Sequence, residues 1–189
     1  MRNLLHRSIV ILGLLLATTQ IASAQAIVSA ERGAEISAFG QATYISPDWG
    51  QKDNLGYTLG VDYTRFIRSI VQPSIEFRIA RADGLDVAER SYAGGLKLAA
   101  GSFRGVEPYV TVLLGHGNID MHHSTNSYVG DSGMIYSFGG GGEFNVTSKV
   151  KVRLDMTRQS WHLDPNVLNP VTVSVGVSYR LGLHGFGVR

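Results

Sequence analysis

The segment from Pro170 to Leu181 constrains the fold of this chain more than any other, because its polarity alternates at every residue. It reads PVTVSVGVSYRL, and the odd-numbered positions from Val171 onward are all apolar. The even-numbered positions from Thr172 to Arg180 are small, polar or charged. Successive side chains of a β-strand point to opposite faces, so the segment predicts a strand with one apolar and one polar face. Either a protein core or lipid could cover the apolar face.

The N-terminus has the parts of a secretory signal peptide. Basic residues precede a short apolar stretch, Ile9–Ala17, and a small-residue cleavage site, Ala22-Ser23-Ala24, follows it. The apolar stretch is shorter than the ~20 residues that a membrane-spanning helix needs. We therefore predict a signal peptide over residues 1–24 and an exported domain over residues 25–189.

Composition argues against several classes of function. The chain has no Cys, which excludes disulfides and thiolate metal sites. Its formal net charge is +2, and no basic stripe with interleaved aromatic residues is present, so we expect no nucleic-acid partner. We expect no cofactor, because no βαβ unit surrounds the glycine run Gly139–Gly142. Glycines on a barrel strand would instead ease curvature or leave space in the lumen.

The exported domain alternates in eight segments, which predicts an all-β fold. The eight predicted strands are Glu35–Ile45, Leu55–Phe66, Val71–Ala80, Arg90–Ala100, Val106–His116, Asp131–Asn145, Val150–Gln159 and Pro170–Leu181. The connections after the odd-numbered strands are predicted to be longer than those after the even-numbered strands. This arrangement is typical of an outer-membrane barrel. A soluble lipocalin-type barrel, with its apolar face inward, is the alternative that residue parity does not exclude.

Two features favour lipid on the outside. The apolar faces carry aromatic residues near strand ends, as the girdles of a membrane barrel require. These aromatic residues are Tyr44, Tyr57, Tyr63, Tyr92, Tyr136, Phe144 and Tyr179. The polar faces hold charges of both signs, which can pair inside a narrow lumen. The charged residues are Glu35, Asp62, Glu76, Glu107, Glu143, Asp155, Arg78, Lys97, Lys151, Arg153 and Arg180. We therefore predict an eight-stranded antiparallel up-and-down transmembrane β-barrel.

The chain resembles the small bacterial outer-membrane β-barrel proteins of the OmpA transmembrane-domain and OmpX type. The resemblance covers the exported domain and includes GVSYRL (Gly176–Leu181), PYVTVLLG (Pro108–Gly115) and the glycine-rich sixth strand. It implies a monomer surrounded by outer-membrane lipid, inserted by the barrel assembly machinery, with both termini in the periplasm. It also implies a structural or surface-interaction role without catalysis. Family members usually end on an aromatic residue, a part that either Phe186 or Tyr179 would take here.

Histidines are the first candidates for chemistry. His122 and His123 lie in the longest predicted connection, and His162 lies in the connection after the seventh strand. Together they could hold a metal ion such as Zn²⁺, although solvated loop histidines are the favoured interpretation. His116 is the fourth histidine of this group and ends the fifth predicted strand.

A hydrolase site is a further alternative. His122 or His123 with Ser124 and a nearby carboxylate, Asp120 or Asp131, contains the residue types of a Ser-His-acid triad. Lipid A deacylases with eight-stranded barrels carry such a site on a lipid-facing strand, whereas these residues lie in a predicted loop. The hydrolase is therefore the least favoured function.

Three aromatic residues lie in or beside the predicted long connections: Trp49, Tyr128 and Trp161. They could anchor a surface ligand or lie at the level of the lipid headgroups. The favoured function is thus a structural or surface-interacting outer-membrane protein. A narrow porin-like channel is the main alternative, because the lumen face is polar.

Overall fold

The structure, a computed structural model, contains nine β-strands in its described residues. It describes residues 33–48, 53–67, 70–84, 87–122 and 128–181. The strands are β1 (Ala34–Ser46), β2 (Asn54–Arg65), β3 (Val71–Asp83), β4 (Val87–Ala100), β5 (Val106–His122), β6 (Tyr128–Asn145), β7 (Val150–His162), β8 (Val167–Leu168) and β9 (Val171–Arg180). Within those ranges no helix is long and apolar enough to cross a membrane.

Several predictions fall on residues outside these ranges. The signal peptide, Trp49, His123, Ser124 and Phe186 are all among them. The predicted cleavage site, the part of the metal and hydrolase sites that uses these residues, and an extension of the last strand to Phe186 therefore stay predictions. The last strand ends at Arg180 within the described part of the chain.

Eight of the strands form a closed antiparallel barrel. Each strand from β1 to β6 pairs with the next, β7 pairs with β6 and β9, and β9 returns to β1. The closing pair is in register from Ser37 opposite Arg180 to Ser46 opposite Val171. β8 is a short addition to β7 within the connection that leads to β9. The predicted up-and-down barrel and its closure by the last strand are confirmed.

The two ends of the barrel differ in their connections. We call the end with the connections 66–70, 101–105 and 146–149 the turn end, and it also holds the start of β1. The opposite loop end has the connections 47–53, 84–86, 123–127 and 163–170. At the turn end, Arg104 and Gly105 both have positive φ angles, 51° and 84°, between the bridged residues Phe103 and Val106. Positive φ at both central residues is typical of a type I′ hairpin turn.

Strands β3 to β7 extend further toward the loop end than predicted. β5 ends at His122 rather than His116, and β7 ends at His162 rather than Gln159. The prediction of longer connections after β3 and β5 is therefore wrong, since these contain only residues 84–86 and 123–127.

An inversion of polarity along β5 explains the missed extension. Over Val106–Leu114 the even-numbered side chains are apolar and point outward. From His116 to Asp120 the outward positions are polar, whereas Ile119, on the inward face, is 1% exposed. A strand prediction that requires a constant phase stops at His116, although the ladder with β6 continues to His122.

The outer surface carries a continuous apolar band. On β5 the band covers Val106–Leu114, which matches the ~9–11 residues of a tilted membrane-spanning strand. All seven predicted girdle aromatics point outward, with exposed fractions between 38% for Phe144 and 58% for Tyr92. A soluble barrel would bury its apolar face, so this surface excludes the lipocalin-type alternative. The parts of β4 to β7 beyond the band, on the loop-end side of Tyr92, Leu114, Tyr136 and Met156, are here called the crown.

Candidate functional site

The interior of the barrel is the candidate site, and Arg153 on β7 lies at its centre. The Arg153 side chain is 0% exposed. Its Nη1 donates to Asp62 Oδ2 at 3.0 Å, its Nη2 to Glu76 Oε2 at 2.7 Å, and its Nε to the Tyr109 hydroxyl at 3.0 Å. The guanidinium carbon also lies 4.0 Å from the centre of the Phe39 ring. A buried guanidinium needs this many partners, because removing it from water is otherwise too costly.

Two lysines extend the pairing across neighbouring strands. Lys97 Nζ on β4 donates to Asp62 Oδ2 at 3.0 Å and to Glu143 Oε1 at 2.7 Å. Lys151 Nζ on β7 donates to Glu143 Oε2 at 2.9 Å and also contacts Glu107. Glu143 on β6 therefore links the two ammonium groups.

Two more arginines complete the set. Arg78 donates to Asp155 Oδ2 at 2.7 Å. The Nε atom of Arg180 lies 3.1 Å from Glu35 Oε1, and the Nη2 atom of Arg180 lies 3.6 Å from Glu107 Oε1. All eleven charges predicted for the polar faces thus lie inside the barrel, where each has a partner of opposite sign. We call these eleven residues the charge network.

Two aromatic rings pack within the charge network, and inward glycines make room for them. Phe39 is 5% and Tyr109 is 4% exposed. A Cβ at Gly60 would lie 2.3 Å from the Phe39 ring, and a Cβ at Gly141 would lie 2.7 Å from the Tyr109 hydroxyl oxygen. Phe39 is an apolar residue on the polar face of β1, where it interrupts the alternation. Inside the barrel its ring packs against the Arg153 guanidinium. A Cβ at Gly141 would also lie 1.9 Å from the carbonyl oxygen of Leu154 on β7, so this glycine allows close approach of the neighbouring strand as well as space in the lumen, and the second of these is a role predicted for the Gly139–Gly142 run.

A layer of hydroxyl groups lies on the loop-end side of the charge network. Thr43 Oγ1 is 2.7 Å from Thr58 Oγ1 and 2.9 Å from Ser174 Oγ, which joins β2, β1 and β9 across the closing seam. Next to this layer is a cavity of about 30 Å³, enough for about two water molecules. Arg78 and Glu89 are among its lining residues.

The loop end of the interior is closed by apolar side chains, which we call the apolar plug. Its members are Val87, Ile119, Ile135, Trp161 and Leu163. Trp161 is 1% exposed, and its Nε1 donates to Gln159 Oε1 at 2.7 Å. The prediction that Trp161 lies in a loop, as a ligand anchor or at the headgroup level, is wrong. It belongs to β7 and continues the inward parity of that strand, a signal already present in its odd residue number.

Glu89 is an inward residue that the sequence-based prediction missed. It is 2% exposed, and its Oε1 accepts a hydrogen bond from Asn54 Nδ2 at 2.8 Å. The sequence predicts the start of the fourth strand at Arg90, one residue later, and so leaves Glu89 out of the predicted lumenal charges, whereas β4 begins at Val87. The inward parity of Glu89 with Lys97 on the same strand would have placed it in the lumen.

The sequence signature of the outer membrane protein beta-barrel domain matches residues 11–180. The chain belongs to this family. The outward apolar band and the paired charges inside are the two faces expected of such a barrel. No curated protein sequence matches the chain significantly.

Solved structures of outer-membrane barrels have the same fold as this family member. Neisserial surface protein A is 14% identical with a TM-score of 0.54, and Ail of Yersinia pestis is 19% identical with a TM-score of 0.53. Each match covers 78% of this chain and 97% of the other. The N-terminal β-barrel domain of Pseudomonas aeruginosa OprF is 16% identical with a TM-score of 0.51, over 77% of this chain and 97% of that domain. At these identities the likeness concerns the fold alone.

Two of the candidate histidines lie on the outer surface of this outer-membrane barrel. His116 and His162 are exposed on β5 and β7, and both are opposite Met134 of β6. The His162 ring makes an edge contact with Tyr136, with 5.1 Å between ring centres. The prediction that His162 lies in a loop is wrong, because β7 continues to it.

The described residues do not assemble the metal site that was the less favoured alternative for the histidines. His122 belongs to the end of β5, opposite Tyr128, rather than to a loop as predicted. In the described ranges no group of three His, Asp or Glu side chains could hold a metal ion. His123 and Ser124 lie outside those ranges, so metal binding with His123 and the hydrolase site stay predictions.

Proposed function

We propose that this outer-membrane β-barrel protein is a closed, non-catalytic barrel with a structural or surface-interaction role. The observation that carries this proposal is the state of the lumen at Arg153. Arg153 and Glu76 are both 0% exposed, so solvent does not reach the centre of the barrel. A lumen filled by an ion-paired cluster supports a rigid scaffold better than a transport route.

The proposed location is the bacterial outer membrane, reached after export with the predicted signal peptide. The two longest connections, 47–53 and 163–170, are at the loop end, and the longer loops of such barrels face the outside of the cell, so we propose that the turn end and both termini lie on the periplasmic side. The barrel assembly machinery would insert the chain. Because the closed sheet has no free edge, we propose a monomer within outer-membrane lipid. A surface ligand would bind the loop-end connections.

Two measurements in detergent or vesicles test this proposal. On an electrophoresis gel, a sample that has not been boiled should contain the folded barrel and migrate differently from a boiled sample of the same protein. Added protease should cut only in the loop-end connections, with 47–53 and 163–170 the most accessible because they are the longest. A chain that stays monomeric in buffer without detergent would contradict the membrane position.

A narrow channel is the second candidate, because the lumen face is polar and contains a cavity of about 30 Å³ beside the hydroxyl layer. With Arg153 in place we expect no unitary current above background in planar bilayers. The double variant Arg153→Ala with Trp161→Ala, which removes the central side chain and the largest side chain of the apolar plug, serves as the comparison for an opened lumen. Steady currents through the unmodified protein would contradict the proposal of a closed barrel and support a channel.

The absence of catalysis has its own test. Overexpression of the protein should leave the mass spectrum of the host's lipid A unchanged. If acyl chains are lost, the same experiment with Ser124→Ala identifies whether the predicted hydrolase residues are responsible.

A further inference from the structure

Two arginines face each other on the outer surface, at the loop-end edge of the apolar band. Arg81 of β3 and Arg90 of β4 are direct cross-strand partners, and both point outward. The next pair toward the band is Ile79 opposite Tyr92. Like charges directly opposite each other on a sheet are destabilising, so an anion bound between the two guanidinium groups would stabilise this arrangement.

The neighbouring carboxylates offset only part of this charge. Arg81 forms an ion pair with Asp83 at 3.0 Å, and both side chains remain partly exposed, at 42% and 56%. Arg90 has no carboxylate within ion-pairing distance among the described residues. Asn118 of β5 is opposite Arg90, and Asp120 points outward two residues further toward the loop end. Asp120 makes no ion pair in the described part of the chain. Among the described residues, the exposed Arg90 guanidinium therefore has no carboxylate partner, and it lies beside the partly exposed Arg81.

Aromatic residues mark the depth of this pair in the membrane. Tyr57 of β2 is opposite Arg81, and Tyr92 is two residues from Arg90 on the same face. Tyr side chains of a barrel collect where hydrocarbon meets the lipid headgroups. The anions present at that depth are the phosphates of lipids, which guanidinium groups bind through paired hydrogen bonds.

We propose that Arg81 and Arg90 together bind the phosphate of an anionic lipid headgroup at the loop-end edge of the barrel. This inference rests on the proposed membrane position. His116, which is opposite Tyr92 on β5, lies on the same side and adds a further donor in this region.

The test is lipid retention by the purified full chain. The protein is inserted into phosphatidylcholine nanodiscs with a minor fraction of phosphatidic acid, and the lipid that remains bound is counted by native mass spectrometry. The wild type should retain one phosphatidic acid. Arg90→Gln and Arg81→Gln should each weaken retention roughly tenfold, and Arg90→Lys should fall between, because an ammonium keeps the charge but not the paired geometry.

Arg158→Gln is the matched control. Arg158 is also an exposed outward arginine near the loop-end edge, but its cross-strand partners are Phe138 and Val171. It should leave retention unchanged. Equal retention by wild type and Arg90→Gln, or an equal loss in Arg158→Gln, would overturn the inference while leaving the membrane position intact. Failure of every form to enter nanodiscs would overturn both.

Discussion

The charge network and the apolar plug occupy the same barrel interior, yet they are opposite in chemistry. The network fills the centre and the turn end with paired charges around Arg153, whereas the plug fills the loop end with side chains such as Trp161 and Ile119. Apart from Leu163, which directly follows β7, both sets lie on the inward faces of the same continuous strands. The difference therefore comes from the surroundings of the barrel at each level rather than from the strands themselves.

The outer surface shows how these surroundings act. At the level of the charge network, the outward positions belong to the apolar band. The polar residues of each strand therefore point into the lumen. At the level of the plug, the outward positions of β5 are polar, and Ile119 inside behaves as a core residue of a soluble protein. One barrel thus contains an inverted, membrane-type segment and a conventional crown above it.

The largest effect is expected from the centre of the network. Arg153→Met should lower the free energy of unfolding by about 3–5 kcal/mol, because Asp62 and Glu76 lose a buried partner. Urea titration of the vesicle-inserted barrel, followed by gel mobility, measures this change. Arg158→Met, at an exposed outward position, should stay within about 0.5 kcal/mol of the wild type. Equal losses of stability in both variants would contradict the claim that the charge network contributes more to stability than an exposed arginine does.

The outer surface should distinguish band from crown along one strand. Val112→Arg, in the middle of the band on β5, should destabilise the barrel in vesicles by about 2–4 kcal/mol. Asn118→Arg, six residues further along the same face, should cost about 0–1 kcal/mol, because that position lies in the crown. The same titration reports both. Similar costs at the two positions would contradict the inversion along β5.

The plug should respond more locally than the network. Trp161→Ala should cost about 2 kcal/mol, less than the ~3–5 kcal/mol of a Trp in an enclosed core, because the crown can open without the rest of the barrel. Limited proteolysis should then show new cuts near Ile119 and Ile135, with the band segments still protected. Loss of protection over the whole chain would mean that plug and network unfold as one unit.

The smallest effect is expected at the closing seam. Thr43→Val should cost about 1 kcal/mol, because the hydroxyls of Thr58 and Ser174 both lose their partner. Ser91 lines the same cavity of about 30 Å³ as Thr43 but lies on β4, away from the seam. The loss of stability in Ser91→Ala is therefore a suitable comparison. Chemical denaturation with both variants measures whether the seam is more sensitive than the opposite wall.

Much of the architecture could be predicted from residue parity. The alternation located the eight barrel strands, their closing pair, the outward girdle and all eleven lumenal charges. Residue parity fails at the loop end, where it places Trp161 and His162 in a connection although β7 contains both. A single inward or outward rule cannot follow a strand from an apolar environment into an aqueous one, because the same face then changes its preferred polarity.

The sequence alone determined which face of each strand is polar, because parity is a local property of a chain with a two-residue repeat. Which charges meet depends on the folded barrel. Arg153 pairs with Asp62 and Glu76, which are 91 and 77 residues away in the sequence, and it packs against Phe39. Those contacts depend on the stagger between strands around the closed barrel, and the alternation within any one strand carries no information about that stagger.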